Sequence, residues 1–392
     1  MTGPLDGVRV LDLTRVVAGP LATRILADQG AEVIKVEPPG GDMSRQFPPM
    51  AAGGMSPYFA QQNAGKRFCA VDLSKQGGPD LLLRLLERCD VLVENFRPGA
   101  MARFGLGADE ICRRFPGLVY CSITGFGQDG PWADRRAYAP IGHLESGLLE
   151  YDERKNGRAA KQPAIVLGDV ATAMMAANSI NALLVKAART GEGGRLDVCM
   201  VESMVYIQEW SSTEMWGGWD TTNAGACEQS PVLRLPDGRV WGIGGNIVAW
   251  FDGLAEAMGR PELAEDPRFA DPATRESNRA ELESVITEWA ATFETFDEFR
   301  VALEAKSALT TAELRSIEDL GRTAWAEHRQ LFCTTESGIP IPARPAAGAG
   351  IGTTGYVAPL GADNRAVMNE VLGLNDDALS ALVEAEVLVG PD

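Results

Sequence analysis

Between Val8 and Thr124, short β-branched runs alternate with stretches whose apolar residues recur at helical spacing, and this alternation constrains the fold more than any other feature. VRVLDLT (8–14), AEVIKVE (31–37), FCAVDLS (68–74), DVLVENF (90–96) and GLVYCSIT (117–124) read as buried strands. GPLATRILADQG (19–30) opens with Gly-Pro, spaces Leu21, Ile25 and Leu26 along one face and ends at Gly30, as a helix does. DLLLRLLERC (80–89) repeats the pattern. Strand–helix–strand repetition of this kind builds parallel βαβ units.

The expected fold is therefore α/β: a Rossmann-like, doubly wound large domain over residues 1–201, followed by a second, smaller α+β domain. A long small-residue helix from about Asp169 to Arg189 and a strand RLDVCMV (195–201) complete the large domain. Beyond it the sequence turns Trp-rich. We expect a linker at 202–224, the small domain at 225–330 with a hairpin at LPDGRVWGI (235–243), and a return of 331–392 to the large domain. A length of 392 residues suits two domains.

Composition closes off several functions. A net charge of −18 opposes non-specific nucleic-acid binding, which needs a basic face. No run reaches the roughly 18–20 apolar residues of a membrane span, and the N-terminus has no signal-peptide pattern, so a cytoplasmic enzyme away from membranes is expected. Seven scattered cysteines without a C-x-x-C pair, and two histidines, indicate neither a disulfide framework nor a metal site.

Two motifs carry candidate chemistry. GFGQDG (125–130) follows a strand, but Pro131, Trp132, Asp134 and the Arg135-Arg136 pair continue a loop where a dinucleotide fingerprint would open a helix. In LGDVATAMMAAN (167–178), Asp169 occupies the first turn of a helix among small residues. Position alone reads as capping. The same geometry also suits a nucleophile, because amides and the helix dipole favour the anion and the small neighbours leave room for a bulky electrophile. Lys75, Arg97, Arg103, Arg135 and Arg136 follow strand ends, where open α/β sheets bind ligands. GIGGN (242–246) reads as a hairpin or a flexible cover.

GPLDGVRVLDLTRVVAGPLATRILADQGAEVIKVE (3–37), KRFCAVDL (66–73), DVLVENFRPGAMARFGLG (90–107), ITGFGQDGP (123–131) and LGDVATAM (167–174), in this order, resemble the class III CoA-transferases. That family also contains α-methylacyl-CoA racemases. The resemblance implies that Asp169 attacks an acyl-CoA thioester, giving a mixed anhydride and then an aspartyl-CoA thioester that a carboxylic acid resolves. It places Val16, Ala18, Ser74, Lys75, Asn95, Phe96, Arg97, Arg103, Arg136 and Met200 along the CoA channel. It implies acyl-CoA and a small carboxylic acid as partners, no cofactor beyond CoA, no metal, and an interlocked homodimer.

Tyr138 stands where the racemases have their catalytic histidine, and tyrosine is a poor base near neutrality, so transfer is favoured over racemisation. His143 and Glu145 replace a common Gln-Ala stretch, and Pro38 replaces a basic residue. Tyr138, His143, Gly244 and Gly245 are accordingly expected at the acyl or acceptor side of the site. A racemase or isomerase on the same scaffold, including one moving CoA within a single molecule, and a non-catalytic acyl-CoA binder stay open as alternatives.

Overall fold

The computed structural model describes residues 3–157, 159–217 and 230–390. Six parallel strands form one sheet: β1 (Arg9–Asp12), β2 (Glu32–Glu37), β3 (Arg67–Ala70), β4 (Val91–Glu94), β5 (Val119–Thr124) and β6 (Gly194–Cys199). Their order is β3-β2-β1-β4-β5-β6, so the winding direction reverses between β1 and β4. The sheet has one strand more than the minimum of five read from the 8–124 segment, because β6 pairs with β5.

The intervening helices are α1 (Ala18–Asp28), α2 (Pro57–Asn63), α3 (Gly78–Leu86), α4 (Ala100–Arg103), α5 (Ala108–Arg114), α6 (Ala139–Glu145), α7 (Leu148–Asn156) and α8 (Leu167–Thr190), with α9 (Met200–Ile207) after β6. Alternate strand residues decide which helices cover which face. Leu11, Ile34, Leu92 and Tyr120 point to a core shared with α3, α5 and the C-terminal helices Asn364–Leu372 and Asp376–Glu384. Val10, Val33, Val91, Val93 and Cys121 face the other way, onto Ala22 and Leu26 of α1 and Ala173, Ala176 and Ile180 of α8. Both faces are dry, which is why the strands read as continuous hydrophobic runs.

Beside β3, the C-terminal segment closes the sheet edge. Val71 bridges Leu388, Phe68 N–H donates to Asp363, and Ala70 N–H donates to Asn364. The C-terminal segment forms two helices, interrupted where Gly373 turns left-handed at φ +66°.

The chain divides into two compact units, residues 1–215 with 324–392, and residues 216–323. The return to the first unit thus starts at Ala324, before the residue 331 anticipated from sequence. The second unit holds an antiparallel sheet of β7 (Val232–Arg234), β8 (Val240–Gly244) and β9 (Thr310–Glu313), turned at Gly238 and packed by Trp241 stacking on Phe299. Part of the linker expected at 202–224, and Cys227, lie outside the described residues. The other six cysteines are free.

Helix α8 contains an 18-residue window of mean hydropathy 1.3, long and apolar enough to match a span by composition. A stripe of it packs on the sheet and on α1, while Met174 and Val185 are more than half exposed.

Candidate active site

All the elements that build the site end at the carboxyl edge of the sheet, around the reversal between β1 and β4, where open α/β sheets leave a crevice. The loop after β1 brings Arg15 and Val16 and leads into Ala18 of α1; the loop after β4 brings Asn95, Phe96 and Arg97; β5 ends at Thr124 and is followed by Gly125, and β6 by Met200. With Arg136, Tyr138 and Asp169 they line a cleft of about 300 Å³.

Asp169 is the third residue of α8 and does not cap it. The N-cap is Val166, which offers no side-chain bond. Instead, the backbone N–H groups of Ala18 and Ala139, the first residues of α1 and α6, lie close enough to the carboxylate to favour its anion. Three helix N-termini therefore converge on one carboxylate, each with unsatisfied amides and a positive dipole end. Burial nevertheless wins: desolvation holds the Asp169 carboxyl above its ordinary value, with the Ala18 and Ala139 amides opposing it. Sequence reasoning had counted the amides and the dipole without the burial.

The approach of α1 depends on Gly19. A Cβ there would stand 2.2 Å from the Thr14 Cβ, so any side chain would push the helix start off the strand. Upstream, Val16 has φ +73°, a left-handed conformation that a β-branched residue adopts only under constraint. The constraint is Asp42, which accepts Val16 N–H at 3.1 Å and Ser44 N–H at 3.0 Å and pairs with buried Lys35 at 3.3 Å. Burial raises the Asp42 carboxyl, but the Lys35 charge and the Ser44 and Val16 donors outweigh it and hold it below the ordinary range. Behind this, Lys66 contacts Asp12 at 2.9 Å, Pro20 O at 2.9 Å and Asn63 at 2.8 Å, all within the core.

The channel residues divide into three groups. Val16, Ala18, Asn95, Phe96, Arg97, Arg136 and Met200 line the cleft, together with Tyr138 and Asp169. Ser74 lines a neighbouring apolar cavity of about 220 Å³ with Leu13, Pro38 and Phe104; Arg15 and Phe96 border both spaces. Lys75 and Arg103 line neither: Lys75 is bonded to Glu386 of the C-terminal segment, and Arg103 is exposed on α4. Asn95 also has a structural task, since its amide both accepts from Arg15 N–H and donates to Arg15 O. Among the described residues, Arg15, Arg97 and Arg136 have no carboxylate partner, so three free guanidinium groups face this region.

His143 corrects the expectation that it shapes the acceptor pocket. It is 2% exposed and stands behind the cleft wall, with Nε2 accepting Gly168 N–H at 3.0 Å and Nδ1 at 2.8 Å from Gln162 Oε1. Glu145 pairs with Arg135, which lies over the Phe126 and Trp132 rings and stiffens the glycine loop. No helix follows that loop directly; Thr124 and Asp197 bond its Gly127 and Gln128 amides. Gly244 and Gly245 belong to the second unit, where Thr310 and Leu309 crowd them and Gly245 has φ +118°. Sequence reasoning missed Arg15, Asp42 and Tyr58. Burial and the negative charge of Asp169 raise the phenol pKa of Tyr58, and its only sequence signal is a Ser-Pro helix start.

Residues 5–364 match the sequence profile of CoA-transferase family III. The chain is 31% identical to a succinyl-CoA–D-citramalate CoA-transferase of Chloroflexus aurantiacus over 98% of both chains. It is 32% identical to the succinyl-CoA:glutarate CoA-transferase of Mus musculus over 98% of this chain and 90% of that one. Its fold matches a CaiB/BaiF family protein from Brucella suis with a TM-score of 0.82 and 27% identity, covering 95% of this chain and all of the other. The chain belongs to CoA-transferase family III and is an enzyme that transfers coenzyme A.

Proposed function

We propose that this enzyme moves CoA from a dicarboxylyl-CoA thioester to a carboxylic acid through covalent intermediates on Asp169. The observation that carries the reading is the convergence of the Ala18 and Ala139 amides on a carboxylate that burial makes more basic than an ordinary aspartate. A desolvated carboxylate is a better nucleophile, and the same amides stabilise charge as it develops on the acyl oxygens.

The Asp169 oxygen attacks the thioester carbonyl, the C–S bond breaks, and CoA thiolate leaves a mixed anhydride. The thiolate then attacks the aspartyl carbonyl and expels the donor acid, leaving an aspartyl-CoA thioester. The acceptor carboxylate attacks that carbonyl and frees the thiolate, which takes the acceptor's acyl group and restores Asp169. The apolar cavity at Ser74 and Phe104 suits the adenine ring, the cleft past Phe96 suits the pantetheine arm, and Arg97 is placed for phosphate. Arg136, beside Tyr138, is placed for the distal carboxylate of the acyl group. This agrees with the succinyl-CoA donors in the relatives' names.

The exposed apolar residues Met174 and Val185 on α8 and Val205 and Tyr206 on α9 are suited to cover by a second copy, as in the interlocked homodimer that the family resemblance implies. Incubation of succinyl-CoA with a panel of carboxylic acids, read by the mass of the new thioester, tests the proposal. Hydroxylamine should modify Asp169 only in the presence of acyl-CoA; transfer by Asp169→Ala at the parent rate would end the proposal.

A further inference from the structure

Helix α8, which bears Asp169, has no capping side chain of its own: Val166 at its N-cap makes no side-chain bond. A helix start buried without partners is unfavourable, because its first amides have no intrahelical acceptor. His143 supplies one from another helix. Its Nε2 accepts the N–H of Gly168, the residue immediately before Asp169, at 3.0 Å.

The neighbouring bonds determine which ring nitrogen carries the proton. Gln162 Nε2 donates to Pro140 O at 3.1 Å, which turns Gln162 Oε1 toward the ring, 2.8 Å from His143 Nδ1. An amide oxygen only accepts, so Nδ1 must donate, and Nε2 is left with the lone pair that Gly168 N–H requires. His143 also sits on α6, whose first residue, Ala139, has its N–H near enough to the Asp169 carboxylate to favour the anion. One imidazole thus ties the helix that carries the carboxylate to the helix that supplies one of its donors.

We infer that His143 is a positioning residue that, as the neutral Nδ1–H tautomer, fixes the start of α8 so that the Asp169 carboxylate meets the Ala139 and Ala18 amides. The kinetic consequence rests on Asp169 being the nucleophile; the tautomer does not. His143 sets the alignment for the chemical step and touches neither substrate, so its loss appears in kcat and leaves donor KM alone.

The test uses the full-length enzyme labelled with 15N-histidine, in which two imidazoles report, and His328→Gln assigns them because His328 is exposed and remote from the cleft lining. The His143 ring should be protonated on Nδ1 alone and coupled to the Gly168 amide; protonation on Nε2 would overturn the inference. His143→Leu should lower kcat about 10- to 100-fold with donor KM within about 2-fold. His143→Gln, whose amide can accept from Gly168 and donate to Gln162, should restore kcat to within about 3-fold of the parent. A Leu variant at parental kcat, or Gln and Leu variants equally impaired, would refute the positioning role. If the Leu variant does not fold, Gln162→Leu at an exposed position removes the Nδ1–H acceptor and should shift the tautomer and lower kcat; no change in either refutes the inference. Asp169→Ala separates the two readings: it should retain the Nδ1–H tautomer, and its transfer rate bears on the nucleophile alone.

Discussion

Replacing Asp42 with alanine removes at once the acceptor that holds Val16 in its left-handed conformation and the counter-ion of Lys35. Lys35 and Asp42 are 0% and 1% exposed, 3.3 Å apart, so the substitution leaves the buried ammonium to its bond with Thr14 O and the nearby charge of Asp12. Breaking such a pair from one side costs about 3–5 kcal/mol. Relaxation of Val16 from φ +73° returns about 1–2 kcal/mol, leaving a net loss of about 1–4 kcal/mol. With an m-value of about 3 kcal/mol/M, the urea midpoint should fall by about 0.3–1.3 M. Because Val16 leads directly into the Ala18 amide that contacts Asp169, kcat should fall as well. The two effects are coupled: in a Val16→Gly background, where the left-handed conformation is free of strain, Asp42→Ala should cost less in kcat than it does alone. The Asp42 carboxyl is held below its unfolded value, so its contribution is present above about pH 4 and disappears as pH falls through the native pKa. A midpoint shift under about 0.3 M with unchanged kcat would refute the account of this strained loop.

The acid limb of kcat/KM should lie above pH 4, because the proposed nucleophile must be ionised and burial raises the Asp169 carboxyl; a limb at or below the ordinary aspartate range of about 4 contradicts this. Glu94, 3% exposed, is pushed up to about 7 by burial against the Ser122 and Phe96 donors. A raised carboxyl loses stability as pH rises from about 4.3 to 7, so Glu94→Gln should stabilise the protein by about 1–3 kcal/mol at pH 8 and flatten that slope in denaturation curves. Gly19→Ala should abolish transfer and lower the melting temperature, since its Cβ meets Thr14 at 2.2 Å; a parental melting curve would show that α1 has room to shift. Val185→Asp, at a half-exposed apolar position on α8, should convert a dimer to monomer in light scattering, and an unchanged mass would remove α8 from the proposed interface.

Much of the architecture was legible in the sequence because it is governed by local periodicity. Strands buried on both faces read as unbroken apolar runs, and the Gly-Pro start and glycine end of α1 mark its limits to within two residues. Asp169 was conspicuous as an acidic residue among small ones, and the ordered motifs pointed to its family. What surrounds it was not legible. Ala18 and Ala139 act through backbone N–H groups that every non-proline residue possesses, so no side-chain pattern distinguishes them. His143 is 25 positions from its donor partner Gly168, Asp42 is 26 from Val16, and Lys75 meets Glu386 from the far end of the chain. The sequence by itself determined the wound sheet, the edge at which its connecting loops gather and the carboxylate that stands there. Only the tertiary structure decided that this carboxylate is desolvated among three helix starts, and that the lone imidazole nearby holds a backbone amide instead of a substrate. Burial and hydrogen-bond direction arise from distant segments meeting, and neither has a period along the chain.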